Sequence, residues 1–247
     1  MKIKGISYPL IFERNLGAIT FEEQMKLKKA KVAIIGLGGI GGIAFEMLAR
    51  VGVGNFIIVD KDNFDISNLN RQILSSLNNL ENKKTNAAIL RGTEINPEIK
   101  LKAYPYELDE KNASLIKGAD LIVDGLDNLY SRIVLNRTAK KYRIPYIFGA
   151  AEYTKGISTI FVPKGKSYEE VFSRFSKKMK LGKELREKTK NYQRCQSVLG
   201  PVPNIIGCFE AMQAINLILG KNKAVVKYPN FLQVDIFSKE PLKISFL

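Results

Sequence analysis

The run GLGGIG, from Gly36 to Gly41, carries glycines at the spacing G-x-G-x-x-G, and Asp60 follows at the end of the hydrophobic run NFIIVD. Glycines of this spacing let the chain turn tightly and bring its backbone against phosphate, while the N-terminus of the next helix offers N–H groups and its dipole. A carboxylate at the end of the second strand is placed to accept hydrogen bonds from ribose hydroxyls. The competing explanation of the turn is helix–sheet packing alone. The glycines by themselves leave NAD, FAD and ATP open.

Residues further along narrow the choice. A dinucleotide presents two phosphates, which the loop backbone can largely hold. A triphosphate with Mg²⁺ adds charge, and calls for cationic side chains and a carboxylate for the metal. Arg71 closes the polar stretch NFDISNLNRQ, and Lys84 opens the helix after it. Asp127, with Asn128 beside it, stands at the end of ADLIVDGLD, the edge where open α/β sheets bind ligands. Asp127 is a candidate Mg²⁺ ligand, and equally a candidate N-cap for the helix that follows.

The elements that position these residues follow from periodicity and punctuation. TFEEQMKLKKA reads as a helix with a capping box of Thr20 and Glu23. KVAIIG is a short β-branched strand, GGIGGIAFEMLARVG a helix, and NFIIVD a second strand: a βαβ unit with a right-handed crossover. KKTNAAILRGTEINP is a helix ending before Pro97, IKLKAYPYEL a strand, and EKNASLIKG a short helix. ADLIVDGLD is a buried strand, followed by the helix NLYSRIVLNRTAKKYRI and the strands PYIFGAA and GISTIFVP. Residues 163–194 are charged and poor in apolar periodicity, so a partly helical, mobile insertion is expected there. NIIGCFEAMQAINLILG is a helix, and FLQVDIF and LKISF are closing strands. The alternation predicts one Rossmann-like, doubly wound and largely parallel α/β domain over residues 1–247, with residues 1–30 an N-terminal helical segment and an antiparallel C-terminal portion.

At 247 residues and 45% hydrophobic, the chain can bury the core such a domain needs. No apolar run reaches the ~18 residues of a membrane span, and the N-terminus is charged too soon for a signal peptide. A cytoplasmic protein is the expectation. The net charge of +15 fits an acidic partner or a lysine-rich surface; the lysines are dispersed, which favours the surface. Cys195 and Cys208, with no histidine in the chain, cannot form a four-ligand zinc site alone.

GLGGIG, Asp60, SNLNRQ, Lys84 and the DGLDN box, in this order, resemble the HesA/MoeB/ThiF family, relatives of the ubiquitin-activating enzymes, and VLGPVPNIIGCFEAMQAINLILG resembles the family's closing helix region. The likeness runs from about Phe12 to Leu219. It implies an ATP-dependent adenylyltransferase that activates the C-terminal glycine of a small ubiquitin-fold carrier ending in Gly-Gly. By this resemblance Gly36, Gly38, Gly39 and Gly41 shape the loop against ATP, with Asp60 and Asp62 on the nucleotide. Asn68, Arg71 and Lys84 engage the phosphates, and Asp127, with Asn128, holds Mg²⁺. Arg14, in FERNLG, falls where family members have an arginine that reaches the neighbouring subunit's triphosphate, which implies a homodimer. The glutamine that usually follows is absent here. Members often carry two C-x-x-C pairs that bind zinc; this chain has none, and no zinc is expected. Cys195 lies near the position of a cysteine that links covalently to the carrier in some relatives, with Arg194 able to stabilise its thiolate; the other reading is an incidental thiol. Cys208, in an apolar helical stretch, is expected in the core.

Other classes stay in view. A dehydratase-like branch of the superfamily activates a carboxylate on a tRNA base, which the basic charge favours somewhat, though no aromatic–basic groove is visible. A nucleotide-binding scaffold without activity is disfavoured by intact Asp60, Arg71, Lys84 and Asp127. An NAD-dependent oxidoreductase lacks an identifiable proton relay.

Overall fold

The computed structural model describes residues 7–190, 192 and 197–246. The chain opens with a short helix α1 (Tyr8–Ile11) and then α2 (Phe21–Lys29). The capping box that starts α2 is present: Glu23 N–H donates to Thr20 Oγ1 at 3.2 Å, and Thr20 N–H to the Glu23 carboxylate at 3.0 Å. Strand β1 (Lys31–Ile35), α3 (Gly39–Arg50) and β2 (Asn55–Val59) form the expected βαβ unit. α4 (Lys84–Ile95) leads to β3 (Lys100–Tyr104), which stops before Pro105 because proline has no N–H for the ladder. The short helix expected in EKNASLIKG is a 3₁₀ turn over Ala113–Ile116. β4 (Leu121–Asp124), α5 (Leu129–Tyr142), β5 (Tyr146–Glu152) and β6 (Lys155–Phe161) follow. Then come α6 (Tyr168–Phe172), α7 (Lys183–Lys190), α8 (Pro201–Leu219), β7 (Asn230–Asp235) and β8 (Leu242–Phe246).

The strands form one eight-stranded sheet of order β3-β2-β1-β4-β5-β6-β7-β8. Pairings from β3 through β5 are parallel, and those from β5 through β8 antiparallel. Alternation along each strand feeds two cores. Val32, Ile34, Phe56, Ile58 and Val123 pack against α2, α3, α4 and α8. Ala33, Ile35, Ile57, Ile122 and Phe148 pack against α5, α6, α7 and the 3₁₀ turn. Central strands are therefore buried on both faces, as parallel sheets require, and read as continuous apolar runs.

Helix α8 is long and apolar enough, by length and composition, to cross a membrane. Here it lies on α3 and the sheet, with Val202, Ile206, Ala211 and Ala214 buried alongside the polar Glu210 and Gln213. Its phase overturns the core placement of Cys208: that residue is exposed, one turn before the exposed Met212, while Gly207 and Ala211 are buried. In segment 163–194 the described part is helical and tied to the domain. Tyr168 and Leu185 enter the core, and the Arg137 guanidinium pairs with Glu169 at 2.6 Å and donates to the Met179 and Ser176 carbonyls. Lys183–Lys190 buries only Leu185 and Thr189, one turn apart, which is why its sequence shows little apolar period.

Candidate active site

The strand order reverses direction between β1 and β4, so the loops leaving their C-terminal ends diverge around a crevice, the general ligand site of open α/β sheets. The two loops meet at its floor. A Cβ on Gly36, whose φ is +91°, would lie 2.4 Å from the Gly125 carbonyl oxygen, and one on Gly41 would lie 1.9 Å from the Gly36 oxygen. Packing alone demands glycine at both positions. Gly38 is different: an added Cβ would meet nothing nearer than 3.9 Å, so the protein's own packing does not explain it. Gly38 borders the crevice as N-cap of α3, and no side chain caps the helix. The N–H groups of that first turn lack intrahelical acceptors and face the place an anion would take.

The crevice is a cleft of about 840 Å³. Gly36, Gly38, Gly39, Asp60, Asp62, Asn68, Arg71, Lys84, Asp127 and Asn128 all border it. Gly41 lies behind the loop, and Arg14 sits exposed on a 3₁₀ turn (Glu13–Asn15) away from its own chain's cleft. Cys195 and Arg194 fall outside the described residues.

Asp60 is nearly buried. Its two oxygens accept from Leu37 N–H at 2.6 Å and Asp62 N–H at 2.8 Å, which ties the glycine loop to the end of β2. Burial pushes its carboxyl above the usual range, and Lys84 and the two amides oppose that shift. Each oxygen keeps a second acceptor site for a ligand. Lys84, the first residue of α4, reaches Asp62 at 3.4 Å with its ammonium almost fully enclosed. Asn68 is buried and accepts from Asp65 N–H at 3.1 Å, closing a 3₁₀ turn (Ile66–Asn68). That turn points Arg71 onto the cleft: its Nη1 donates to the Ser67 carbonyl at 2.7 Å and Asn70 Oδ1 at 2.8 Å. Among the described residues Arg71 forms no ion pair, so its charge faces the cleft uncompensated.

Asp127 is not the N-cap of α5. Asn128 takes that role, its Oδ1 accepting from Ser131 N–H at 2.8 Å. Asp127 is exposed, and among the described residues its carboxylate has no hydrogen-bond or ion-pair partner. Nor do the described residues hold a group of three or more Asp, Glu, Cys or His side chains that could hold a metal. A lone carboxylate beside two cations fits Mg²⁺ brought with phosphates, which supply the remaining oxygens, rather than a protein-made cage.

Two groups were missed in the sequence. Beneath the β4–α5 loop lies a buried network. Arg132 Nε sits 3.0 Å from Asp124 Oδ2, which also accepts from Tyr146 Oη at 2.5 Å. Burial opposes the charge on Arg132, but Asp124 together with the phenols of Tyr168 and Tyr146 outweighs it and holds the guanidinium charged. Glu210 of α8 is fully buried, and among the described residues neither oxygen has a hydrogen-bond partner; burial, then the nearby Asp124, push its carboxyl well above the usual range, against Arg132. The available signal was an arginine inside the buried face of α5 and an aspartate closing an apolar strand. The second group is on α7: Arg186, Thr189 and Lys190 form the cleft's outer wall, with Arg186 paired to Glu107 at 2.9 Å and 4.2 Å above the Tyr130 ring.

Comparison with known proteins places the chain in a family. The model of the ThiF family matches residues 12–245. A molybdopterin-synthase adenylyltransferase of Haemophilus influenzae is 34% identical over 230 residues, covering 90% of this chain and 88% of that one. The sulfur carrier protein ThiS adenylyltransferase of Escherichia coli is 32% identical, covering 83% and 78%. A crystal structure of Escherichia coli MccB with ATP superposes with a TM-score of 0.74 at 25% identity, spanning 91% of this chain and 65% of the MccB chain. With a family match over nearly its whole length and the glycine loop, Asp60, Arg71, Lys84 and Asp127 gathered at one switch point, this chain belongs to the ThiF family.

Proposed function

We propose that this protein is an ATP-dependent adenylyltransferase acting on the C-terminal glycine carboxylate of a small ubiquitin-fold sulfur carrier or modifier that ends in Gly-Gly. The observation that carries the reading is the cleft, where a helix N-terminus, two cations and a lone carboxylate converge on one nucleotide-sized space. The carrier's carboxylate oxygen attacks the α-phosphorus of ATP. The bond from that phosphorus to the bridging oxygen breaks, and pyrophosphate leaves with the electron pair. An ionised carboxylate needs no general base, so the side chains act by position and charge.

Asp60 binds the ribose while its amide contacts hold the glycine loop. The N–H groups after Gly38 receive phosphate oxygens. Asn68, Arg71 and Lys84 stabilise the negative charge that grows on pyrophosphate. Asp127 holds Mg²⁺, which when bound neutralises phosphate oxygens and orients them. Arg14, turned away from its own cleft, completes the site of a second copy in a homodimer. The protein works in the cytoplasm and needs no zinc.

The test is ATP–pyrophosphate exchange with candidate carriers. Exchange that requires a purified Gly-Gly carrier supports the reading, whereas exchange that requires tRNA replaces it with the dehydratase branch. Mixing inactive Arg14→Ala and Arg71→Ala chains checks the composite site. About a quarter of wild-type activity should return if subunits exchange, because one of the two sites in a mixed dimer is intact.

A further inference from the structure

Asp127 projects from a four-residue loop, Gly125 to Asn128, that has no regular secondary structure and yet must aim a single carboxylate. The chain fixes it from both sides. On the far side, Asn128 is committed to capping α5. On the near side, both backbone polar groups of Leu126 are taken by one buried ion pair. Leu126 N–H donates to Asp124 Oδ1 at 2.8 Å, and Arg132 Nη2 donates to the Leu126 carbonyl. The same Nη2 donates to the Gly149 carbonyl at 2.9 Å, in the middle of β5. Tyr146, also on β5, donates to Asp124.

We infer that the buried Asp124–Arg132 pair is a positioning device for the loop: it clamps Leu126 by its amide and carbonyl and so sets the direction in which Asp127 presents its carboxylate. The inference rests on the proposed metal role of Asp127. A buried ion pair gives little stability beyond what apolar side chains of the same volume would give, so its distinctive contribution is geometric. The fork of a guanidinium can face a carboxylate with Nε while Nη2 spans two carbonyls, one in the loop after β4 and one on β5; an ammonium cannot. Where one carboxylate rather than a cluster serves the metal, an error in its direction is not compensated by neighbours.

The test uses the full chain and Mn²⁺ in place of Mg²⁺, with free Mn²⁺ read by electron paramagnetic resonance at saturating ATP. The double variant Asp124→Leu/Arg132→Met removes both charges and leaves neither orphaned. The expected result is a cooperative melt, metal-free ATP binding close to wild type, and Mn²⁺ affinity in the ATP complex weakened roughly 10- to 100-fold. Arg132→Lys, which keeps the charge and loses the fork, should weaken Mn²⁺ binding as well; full rescue by lysine would show that charge alone matters and overturn the inference. Should the double variant fail to fold, Tyr146→Phe loosens Asp124 while keeping its ring, and a weakening of about threefold is expected. Unchanged Mn²⁺ affinity in a folded variant overturns the clamp. A wild-type chain that binds ATP but no Mn²⁺ removes the metal role of Asp127 and the clamp with it, and exchange activity in that same chain would leave the adenylyltransferase reading standing.

Discussion

Two loops face each other across the floor of the cleft, and they are held by opposite means. The loop after β1 is shaped by absent side chains: Gly36 and Gly41 let backbones approach to distances that no Cβ would permit. The loop after β4 is shaped by present ones, a buried carboxylate, guanidinium and phenol drawn from β4, α5 and β5. In the proposed site the first would meet nucleotide through main-chain N–H groups, which need only a fixed backbone. The second must aim a side chain, which needs its neighbours pinned. A steric device is local and all-or-none. An ion-pair device is distributed and can be weakened in steps.

The largest effect should come from the steric side. Gly41→Ala sets a Cβ against the Gly36 carbonyl at 1.9 Å, with the Gly125 Cα only 3.3 Å away, and neither is a flexible side chain that could turn aside. A loss on the order of 5 kcal/mol, or loss of the cooperative transition altogether, is expected in thermal or urea unfolding. A melt like wild type would mean that the loops separate freely, and the contrast would collapse.

On the charged side, Asp127→Ala should leave unfolding unchanged to within about 0.5 kcal/mol, since the residue is exposed. Carrier-dependent pyrophosphate exchange should fall about 10²- to 10³-fold. Exchange retained near the wild-type rate at saturating Mg²⁺ would remove Asp127 from the metal.

How far each loop was legible follows from the same difference. The glycine loop announces itself, because a glycine required by backbone approach leaves a fixed spacing, and strand, turn and helix are contiguous in the chain. Asp60 and Lys84 sit at recognisable ends of elements, and Arg71 stood out as the cation closing a polar stretch. The partition of the glycines was not readable: Gly36 answers to Gly125, 89 positions away, Gly41 to the Gly36 carbonyl across the turn, and Gly38 to the cleft. Nothing in the local pattern singled out Arg132 in α5 or Asp124 at the end of β4. Their joint role depends on β5 lying beside β4, a tertiary fact. Cys208 was misplaced for a related reason: α8 is apolar nearly all round, so its sequence does not say which side meets α3. The crossover segment hid its single buried stripe under lysines, and with it the cleft wall around Arg186.

Gly38→Ala separates the two demands on the glycine loop. Its Cβ would have 3.9 Å of room, so stability should hold to within about 0.5 kcal/mol. ATP affinity by calorimetry should drop roughly tenfold or more, because the methyl occupies the approach of phosphate to the α3 N-terminus. Equal ATP affinity would show that this N-terminus does not contact the nucleotide.

The mildest prediction probes the charge held beneath the β4 loop. Glu210 is buried without a hydrogen-bond partner among the described residues, near Asp124 and against Gly149, and its carboxyl is raised well above its ordinary value of 4.5. The folded chain therefore holds the Glu210 proton to a higher pH than the unfolded chain does. The folded state binds the extra proton, so stability falls as pH rises above 4.5 and goes on falling until the folded-state pKa is passed. Glutamine keeps the shape and removes the proton. Glu210→Gln should thus flatten the decline that begins above pH 4.5 by at most about 1.4 kcal/mol per pH unit, read as urea midpoints at constant m-value. All other titrating groups enter both chains alike and cancel in the difference. Parallel pH profiles for the two chains would mean that Glu210 is ionised in the fold. The Arg132 guanidinium would then be shared between two carboxylates, and the Leu126 clamp would not belong to Asp124 alone.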